Sequence, residues 1–452
     1  MTTVLKFHEG TLLLQNYAGE PDLPCVLWDD RTRQWRAKAI YYDEIKKWLH
    51  SKNISFQDLT PDYSSLNLKI RMNIELRPYQ KEALNTWIAH QCRGSVSLPT
   101  GSGKSWVALK AMAYVNQSTL VVLPTIDLMN QWYEIISDAF GVDVGILGGG
   151  YHEIRDLTVT TYDSAYIHID KYGNRFGLLI FDEVHHLPAM TYSHIPEMSI
   201  APFRLGLSAT YQRTDGLHGK LDWLVGEMVY EKSIKELEGE HLAEYEIVKL
   251  AIDLTPEEKQ SYEKNRQFYE SYIHDKGITF YGKGMKTFLR ESAYDPWARK
   301  AFLARMQSRR IILGARRKLE ILETLLKRHH DDRIIIFTES NDLVYEISQI
   351  FLIPALTHHT KTVERKLILD NFRKGIYSVL VTSKVLNEGV DVPNANVAII
   401  LSGSASPVEH QQRLGRILRK AANKHAILYE LVTRGTNESQ ISYMRRRSDA
   451  YQ

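Results

Sequence analysis

Cysteine is nearly absent from this chain: Cys25 and Cys92 are the only two in 452 residues. Their separation rules out a CxxC element, argues against a zinc ribbon or an iron–sulfur cluster, and fits a reducing, cytoplasmic setting. Long apolar runs are missing too, and no stretch approaches the length needed to span a bilayer. Met1 to Gly10 carries charge and lacks an apolar core with a cleavage site, so no signal peptide is expected. There is no low-complexity tract and no repeat at solenoid period. Excess charge is also lacking, since 57 Lys and Arg face 54 Asp and Glu for a net +3. Affinity for a polyanion must therefore reside in local basic patches. What remains is a globular composition, 44% hydrophobic and 25% charged, in a chain long enough for three or four folding units.

Residues 1–75 read as a small α+β unit. Val4–Phe7 and Thr11–Leu14 flank Glu9-Gly10 as a hairpin, and Asp29 to Thr32 is a turn between two further strand-like runs. Tyr42 to Leu49 has helical spacing, with Ile45, Trp48 and Leu49 on one face. From 77 to 240 short apolar bursts alternate with helical segments: Ser95–Leu98, Leu120–Pro124, Leu157–Thr161, Leu178–Asp182 and Arg204–Ser208. That alternation predicts a parallel sheet in an α/β lobe. A second series, Ile334–Thr338, Val379–Thr382, Val397–Leu401 and Ala426–Leu431, predicts a second such lobe over 312–452. Between them Pro256 to Lys276 reads as an aromatic-rich helix, and Lys283 to Arg333 holds 14 Lys and Arg against 6 Asp and Glu. A helical insert is placed at 250–305.

The chemistry is carried by a few short segments. Leu98-Pro-Thr-Gly-Ser-Gly-Lys-Ser105 follows a strand and precedes a helix. In that context the backbone N–H groups of Thr100, Gly101, Ser102 and Gly103 cradle phosphates, Lys104 neutralises the β/γ-phosphates, and the Ser105 hydroxyl ligates Mg²⁺. Leu98 stands where the strict P-loop pattern has its first glycine. Leu178-Leu-Ile-Phe-Asp182-Glu183-Val-His185-His186 is an apolar strand ending in two carboxylates. Asp182 at the tip is the candidate Mg²⁺ holder and Glu183 the group that orients and polarises the attacking water. Adjacent His185 and His186 lack the i,i+4 spacing of a helical zinc pair. Ser208-Ala-Thr210 follows the next strand and can link hydrolysis to movement. In the second lobe, Gln412-Arg-Leu-Gly415-Arg416-Ile-Leu-Arg419 places Arg416 and Arg419 at i,i+3, suited to stabilising a transferring phosphoryl group. Upstream, the segment from Val381 to Pro393, with Thr382, Gly389 and Asp391, suits phosphate and ribose contacts.

In order and spacing these elements resemble the superfamily 2 helicases over about 77–435. The resemblance implies two tandem RecA-like lobes, ATP with Mg²⁺, and DNA as partner. It gives Arg77-Pro-Tyr-Gln80 the recognition of adenine through Gln80, and assigns contacts with the nucleic-acid backbone to Thr125, Thr160 and Thr382. The Asp182-Glu183-x-His185 variant, the insert and the small N-terminal unit are similar to the archaeal form of the xeroderma pigmentosum group B family. That family implies a damage-recognition domain at 1–75, a first helicase lobe at 77–240, a thumb at 250–305 whose Arg290, Trp297, Arg299 and Lys300 grip nucleic acid, and a second lobe at 312–452. It implies 3′→5′ polarity, work in nucleotide excision repair and transcription, and a separate nuclease partner. Arg213-Thr214-Asp215 stands where the family has Arg-Glu-Asp, so the strand-parting wedge lacks its middle carboxylate. A damage-binding clamp whose ATPase only gates binding is the competing function. A nuclease reading from Asp62, Glu75 and Arg77 is weaker, since Arg77 already belongs to the adenine motif.

Overall fold

The computed structural model describes residues 2–211, 216–237, 244–278, 284–383, 395–403 and 425–445. The chain divides into two compact units, one ending at Glu236 and the other starting at Leu237.

The first unit opens with the expected hairpin. Strands Thr3–His8 and Thr11–Gln15 pair antiparallel around Gly10, whose positive φ of 75° suits glycine at a tight turn. Leu27–Asp29 and Gln34–Lys38 pair across the second turn, and Phe56–Asp58 runs parallel to the first strand. Tyr42, Ile45, Trp48 and Leu49 of the helix Tyr42–Ser51 are buried, in one cluster with Leu5, Leu12 and Leu14. Ile200 joins that core from far along the sequence, so the small sheet is seated on the lobe that follows it.

That lobe is an eight-stranded sheet whose consecutive neighbours are Met228–Glu231, Arg93–Ser97, Phe203–Ser208, Leu178–Asp182, Thr119–Leu123, Leu157–Thr161, Gly145–Gly148 and Tyr151–His152. All pairings are parallel except the last. All five residues of Leu178–Asp182 are buried, as are all five of Thr119–Leu123. Burial on both faces is why these strands read as continuous apolar bursts rather than alternations.

The second unit has a six-stranded parallel sheet in the order Glu244–Ile252, His425–Thr433, Val397–Ile400, Ile334–Phe337, Val379–Thr382, Ala355–Leu356. Its edge strand Glu244–Ile252 pairs along its length with His425–Thr433. The sheet therefore recruits residues upstream of the helical segment, and 250–252 end a strand of the second lobe instead of opening the insert. The helices Pro256–Asp275, Gly284–Glu291 and Pro296–Leu313 follow. The first starts on a capping box, Thr255 with Glu258. Tyr269, Phe288, Ala301 and Ala304 give these helices a small core of their own. Lys318, fully buried, pairs with Glu438 at 2.8 Å and donates to the Leu401 carbonyl at 2.8 Å. Among the described residues no helix is long and apolar enough to cross a membrane.

Candidate active site

The register of the first lobe's parallel sheet brings three sequence motifs to one edge. Ser97, the last residue before the Gly-rich loop, is aligned with Ser208. Asp182 on the next strand is aligned with Leu207. In open parallel sheets ligands bind beyond the carboxyl ends of the strands, and all three motifs lie there.

The loop from Leu98 to Gly103 leads into the helix Lys104–Val115. Leu98 is fully buried and its N–H donates to the Ser208 carbonyl at 2.9 Å. The first-glycine position thus serves as a core anchor and has no positive φ to meet. Gly103 does: its φ is 82°, and a Cβ there would come within 2.5 Å of Gln80 Nε2. Lys104 Nζ donates to the Leu98 carbonyl at 3.0 Å, folded over the loop. The hydroxyls of Thr100 and Ser102 are buried and make no hydrogen bond within the protein. Unsatisfied polar atoms of this kind are costly, and together with the glycine cradle they fit a loop built to receive phosphate oxygens.

Arg77 to Gln80 closes on this loop from the helix Pro78–Ala89. Pro78 occupies the first helical turn, where its missing N–H costs nothing. Gln80 Oε1 accepts the Arg77 N–H at 2.9 Å, while Gln80 Nε2 donates to the carbonyls of Ser102 at 2.7 Å and Gly103 at 3.3 Å. Tyr79 donates its hydroxyl proton to the same Ser102 carbonyl at 2.6 Å. Both hydrogens of the Gln80 amide are committed to the loop, which leaves one lone pair of its oxygen for an exocyclic amine. Gln80 is therefore a brace of the phosphate loop, holding the Ser102 and Gly103 carbonyls from the neighbouring helix.

Asp182 is buried at the strand tip. Its Oδ2 accepts from Trp132 Nε1 at 3.0 Å and its Oδ1 from the Glu183 N–H at 3.1 Å. Burial pushes its pKa up to about 6, and the Glu183 charge adds to that; Lys104, the indole and the Glu183 N–H pull it down. Glu183 has left-handed backbone, φ 50°, which costs a side-chain-bearing residue about 1–2 kcal/mol. Such strain persists where surrounding structure enforces it, and it clusters at active sites. Glu183 Oε2 is buried without a hydrogen bond and lies 3.5 Å from His185 Nδ1. His185 Nδ1 is also 3.1 Å from Ser208 Oγ. Since the Ser208 proton goes to the Thr210 carbonyl at 2.7 Å, Nδ1 is the donor in that contact. One imidazole thus bridges the two-carboxylate strand and the Ser-Ala-Thr strand.

The raised Asp182 pKa has a measurable consequence for stability. An aspartate held above the ordinary 3.8 makes ionisation unfavourable in the folded state. The penalty is absent below the unfolded pKa, grows as pH rises toward about 6, and is fully present above it. In nucleotide-free protein the unfolding temperature of wild type, relative to Asp182→Asn, should rise by several degrees between about pH 8 and about pH 5. Any offset from the amide's own hydrogen bonding is independent of pH. A difference that stays constant across this range would remove the raised pKa.

Other expected residues are distributed differently. Thr125 caps the helix Ile126–Phe140 at the same sheet edge and is partly accessible. Two of the expected backbone contacts, Thr160 and Thr382, are fully buried. The Thr160 hydroxyl donates to the Leu147 carbonyl at 2.7 Å and that of Thr382 points to the Ser383 carbonyl at 3.5 Å. In the second unit Arg290, Trp297, Arg299 and Lys300 are all exposed. Trp297 stacks on Phe268 with centroids 6.2 Å apart, and Lys300 Nζ lies 5.3 Å from the Trp297 ring and 5.1 Å from that of Phe268. Arg213, Thr214, Asp215, Gly389, Asp391, Arg416 and Arg419 lie outside the described residues. Nothing in the sequence singles out Trp132, whose spacing with Met129 and Ile136 marks an ordinary buried helix face.

Comparison with known proteins agrees with this assembly. Residues 5–59 match the xeroderma pigmentosum group B helicase damage recognition domain. Residues 73–213 match the family described as type III restriction enzyme, res subunit, and 317–421 the helicase conserved C-terminal domain. The chain is 41% identical to the DNA 3′-5′ translocase XPB2 of Sulfurisphaera tokodaii, over 98% of this chain and 99% of that protein. It is 30% identical to the DNA 3′-5′ helicase XPB of Mycobacterium tuberculosis, over 82% of this chain and 63% of the longer relative. The helicase domain of Pyrococcus furiosus Hef shares the fold, with a TM-score of 0.53 at 17% identity over 84% of this chain and all of that one.

Proposed function

The chain belongs to the xeroderma pigmentosum group B family, and from that premise we propose that it is an ATP-driven DNA helicase or double-strand DNA translocase of 3′→5′ polarity, working in DNA repair. The observation that carries this reading is the convergence of Lys104, Asp182, Glu183 and the His185–Ser208 bridge on one sheet edge. Bound ATP with its Mg²⁺ supplies the phosphoryl group and the cation that offsets its charge. Toward it, Thr100 to Gly103 offer backbone donors and two free hydroxyls, and Lys104 exchanges the Leu98 carbonyl for phosphate oxygens. Ser105 and Asp182 are the oxygen donors for the cation, a hard-ligand set suited to Mg²⁺. Glu183, next to Asp182 at the strand tip, is the carboxylate that would orient a water. The His185–Ser208 contact then gives a change at Glu183 a route to the strand Phe203–Ser208.

The test measures ATPase activity and strand separation on single-stranded, forked, bubble and duplex DNA. DNA-stimulated hydrolysis with strand separation or movement on duplex supports a motor. Stimulated hydrolysis with neither would establish the damage-binding clamp instead. A separate nuclease partner, implied by the family, remains part of this proposal; within the chain Asp62 lies 3.8 Å from Arg175, and Arg77 caps the helix that closes on the phosphate loop.

For the thumb we propose a grip on the nucleic-acid backbone by Arg290, Arg299 and Lys300, with Trp297 as an exposed aromatic beside them. Counterion release makes such contacts visible in salt. Replacing the three basic residues by Ala should weaken DNA binding at low salt and flatten the log–log salt dependence by about one unit for each phosphate no longer neutralised. Basal ATPase should persist. An unchanged slope would reduce the basic face to solvated surface.

A further inference from the structure

Asp182 is held by three donors from three parts of the first lobe. Trp132 Nε1 binds Oδ2 at 3.0 Å, the Glu183 N–H binds Oδ1 at 3.1 Å, and the Tyr162 hydroxyl donates to the Asp182 backbone carbonyl at 3.1 Å. Two of these contacts are local or act on the main chain. The one from Trp132 arrives from a helix, Ile126–Phe140, fifty positions away in sequence. Trp132 is 1% exposed, so solvent does not compete for its N–H.

Indole suits this place for reasons of charge and valence. It donates and never accepts, so it cannot swap roles when a cation arrives. It is uncharged, so it orients the carboxylate without neutralising it, as Lys or Arg would. The terminal torsion of an aspartate is soft and broadly populated, and a donor on Oδ2 removes that freedom. Changing a group that orients a metal-binding carboxylate commonly costs about 10–100-fold in metal affinity.

We propose that Trp132 is a positioning residue of the nucleotide site: its indole N–H holds the Asp182 carboxylate in the orientation that receives the nucleotide's divalent cation. This rests on the reading of Asp182 as the cation holder. It requires metal affinity, and not nucleotide affinity alone, to depend on a single N–H.

The experiment uses the full chain with Trp132→Phe, and a second form carrying benzothienylalanine at 132, which keeps the ring volume and replaces N–H by sulfur. Mn²⁺ binding is followed by electron paramagnetic resonance in the presence of AMP-PNP, and AMP-PNP binding is measured separately in EDTA. Mn²⁺ affinity should fall about tenfold in both forms, with metal-free nucleotide affinity within about twofold of wild type. Hydrolysis should recover as Mg²⁺ is raised. Asp182→Asn, measured alongside, should lose the metal-dependent gain entirely. If it does and both Trp132 replacements keep wild-type Mn²⁺ affinity, Trp132 is a packing residue and the proposal is overturned. If Asp182→Asn itself keeps wild-type Mn²⁺ affinity, the cation-site reading falls and takes Trp132 with it. Should Trp132→Phe fold poorly, the isosteric form decides between these outcomes.

Discussion

Glu183→Gln should slow ATP turnover by about 10²–10⁴ while ATP binding stays within a few-fold of wild type, leaving ATP-bound protein on DNA. The side chains match in size, and the glutamine keeps an oxygen. What changes is the charge that draws a proton from water, a demand that arises only as the transition state forms. The structure shows how much is spent on placing that charge. Glu183 takes a left-handed backbone at the end of a fully buried strand, and its Oε2 is buried with no hydrogen bond. Glutamine relieves part of this burden, so the variant should also melt no lower than wild type. Lys104→Ala provides the contrast. On the proposed reading Lys104 meets phosphates in the ground state as well as the transition state, so its loss should abolish turnover and weaken nucleotide binding together. Single-turnover hydrolysis separates the two. A DNA-stimulated rate within a few-fold of wild type in Glu183→Gln would remove Glu183 from the chemistry.

The strands of both lobes are legible in the sequence where burial is complete on both faces. Leu178–Asp182, Thr119–Leu123 and Ile334–Phe337 consist of buried residues only, and such strands announce themselves as short apolar runs between turn residues. The edge strand Glu244–Ile252 is not legible. Its burial alternates, and Glu244, Glu246 and Lys249 make it read as polar linker. Gly145–Gly148 lies between a Gly-Val-Asp-Val turn and a glycine run, which hides it as loop. At the candidate site, residue type and order locate the phosphate loop and the paired carboxylates, since the chemistry restricts both. Side-chain direction is not available in the same way. In a strand buried on both faces, alternation no longer separates accessible from enclosed positions, which is why Thr160 reads as a surface contact until its burial is seen. Trp132 is hidden for a related reason: a tryptophan at core spacing looks the same whether or not its N–H finds a carboxylate.

The sheet order also accounts for the economy of the site. Neighbouring strands Arg93–Ser97, Phe203–Ser208 and Leu178–Asp182 come from three separate stretches of sequence, yet parallel pairing aligns their ends within one residue. His185 spans the gap by bonding Ser208 Oγ, whose hydroxyl turns the following residues back through Thr210. A neutral imidazole is enough for this link. Its replacement should lower coupling between hydrolysis and DNA movement more than hydrolysis itself, read as more ATP consumed for each base pair separated or travelled.

Arg419→Ala and Arg416→Ala should each lower kcat by about 10³-fold, the low end for an arginine acting on a transferring phosphoryl group, with ATP affinity changed by no more than a few-fold. The last described residues before them in sequence are held by several hydrogen bonds. Strand Val397–Ile400 delivers Leu401 and Ser402, and both are pinned. The Leu401 carbonyl accepts from buried Lys318, itself paired with Glu438. Ser402 Oγ lies 2.9 Å from Thr338 Oγ1 and accepts the Glu339 N–H at 3.0 Å. Further along the sequence, the three-residue spacing of Arg416 and Arg419 is that of neighbours on a helical surface. On the proposed reading Lys104 supplies charge to the bound phosphates, so further cations gain little in the ground state. The charge of the equatorial oxygens must be met in the transition state, and the planar, five-donor guanidinium matches it in a way an ammonium does not. Arg419→Lys should therefore recover only part of the rate. Measured by steady-state kinetics with DNA saturating, a rise in KM for ATP at unchanged kcat would make Arg419 a ground-state phosphate clamp and end its assignment to the transition state.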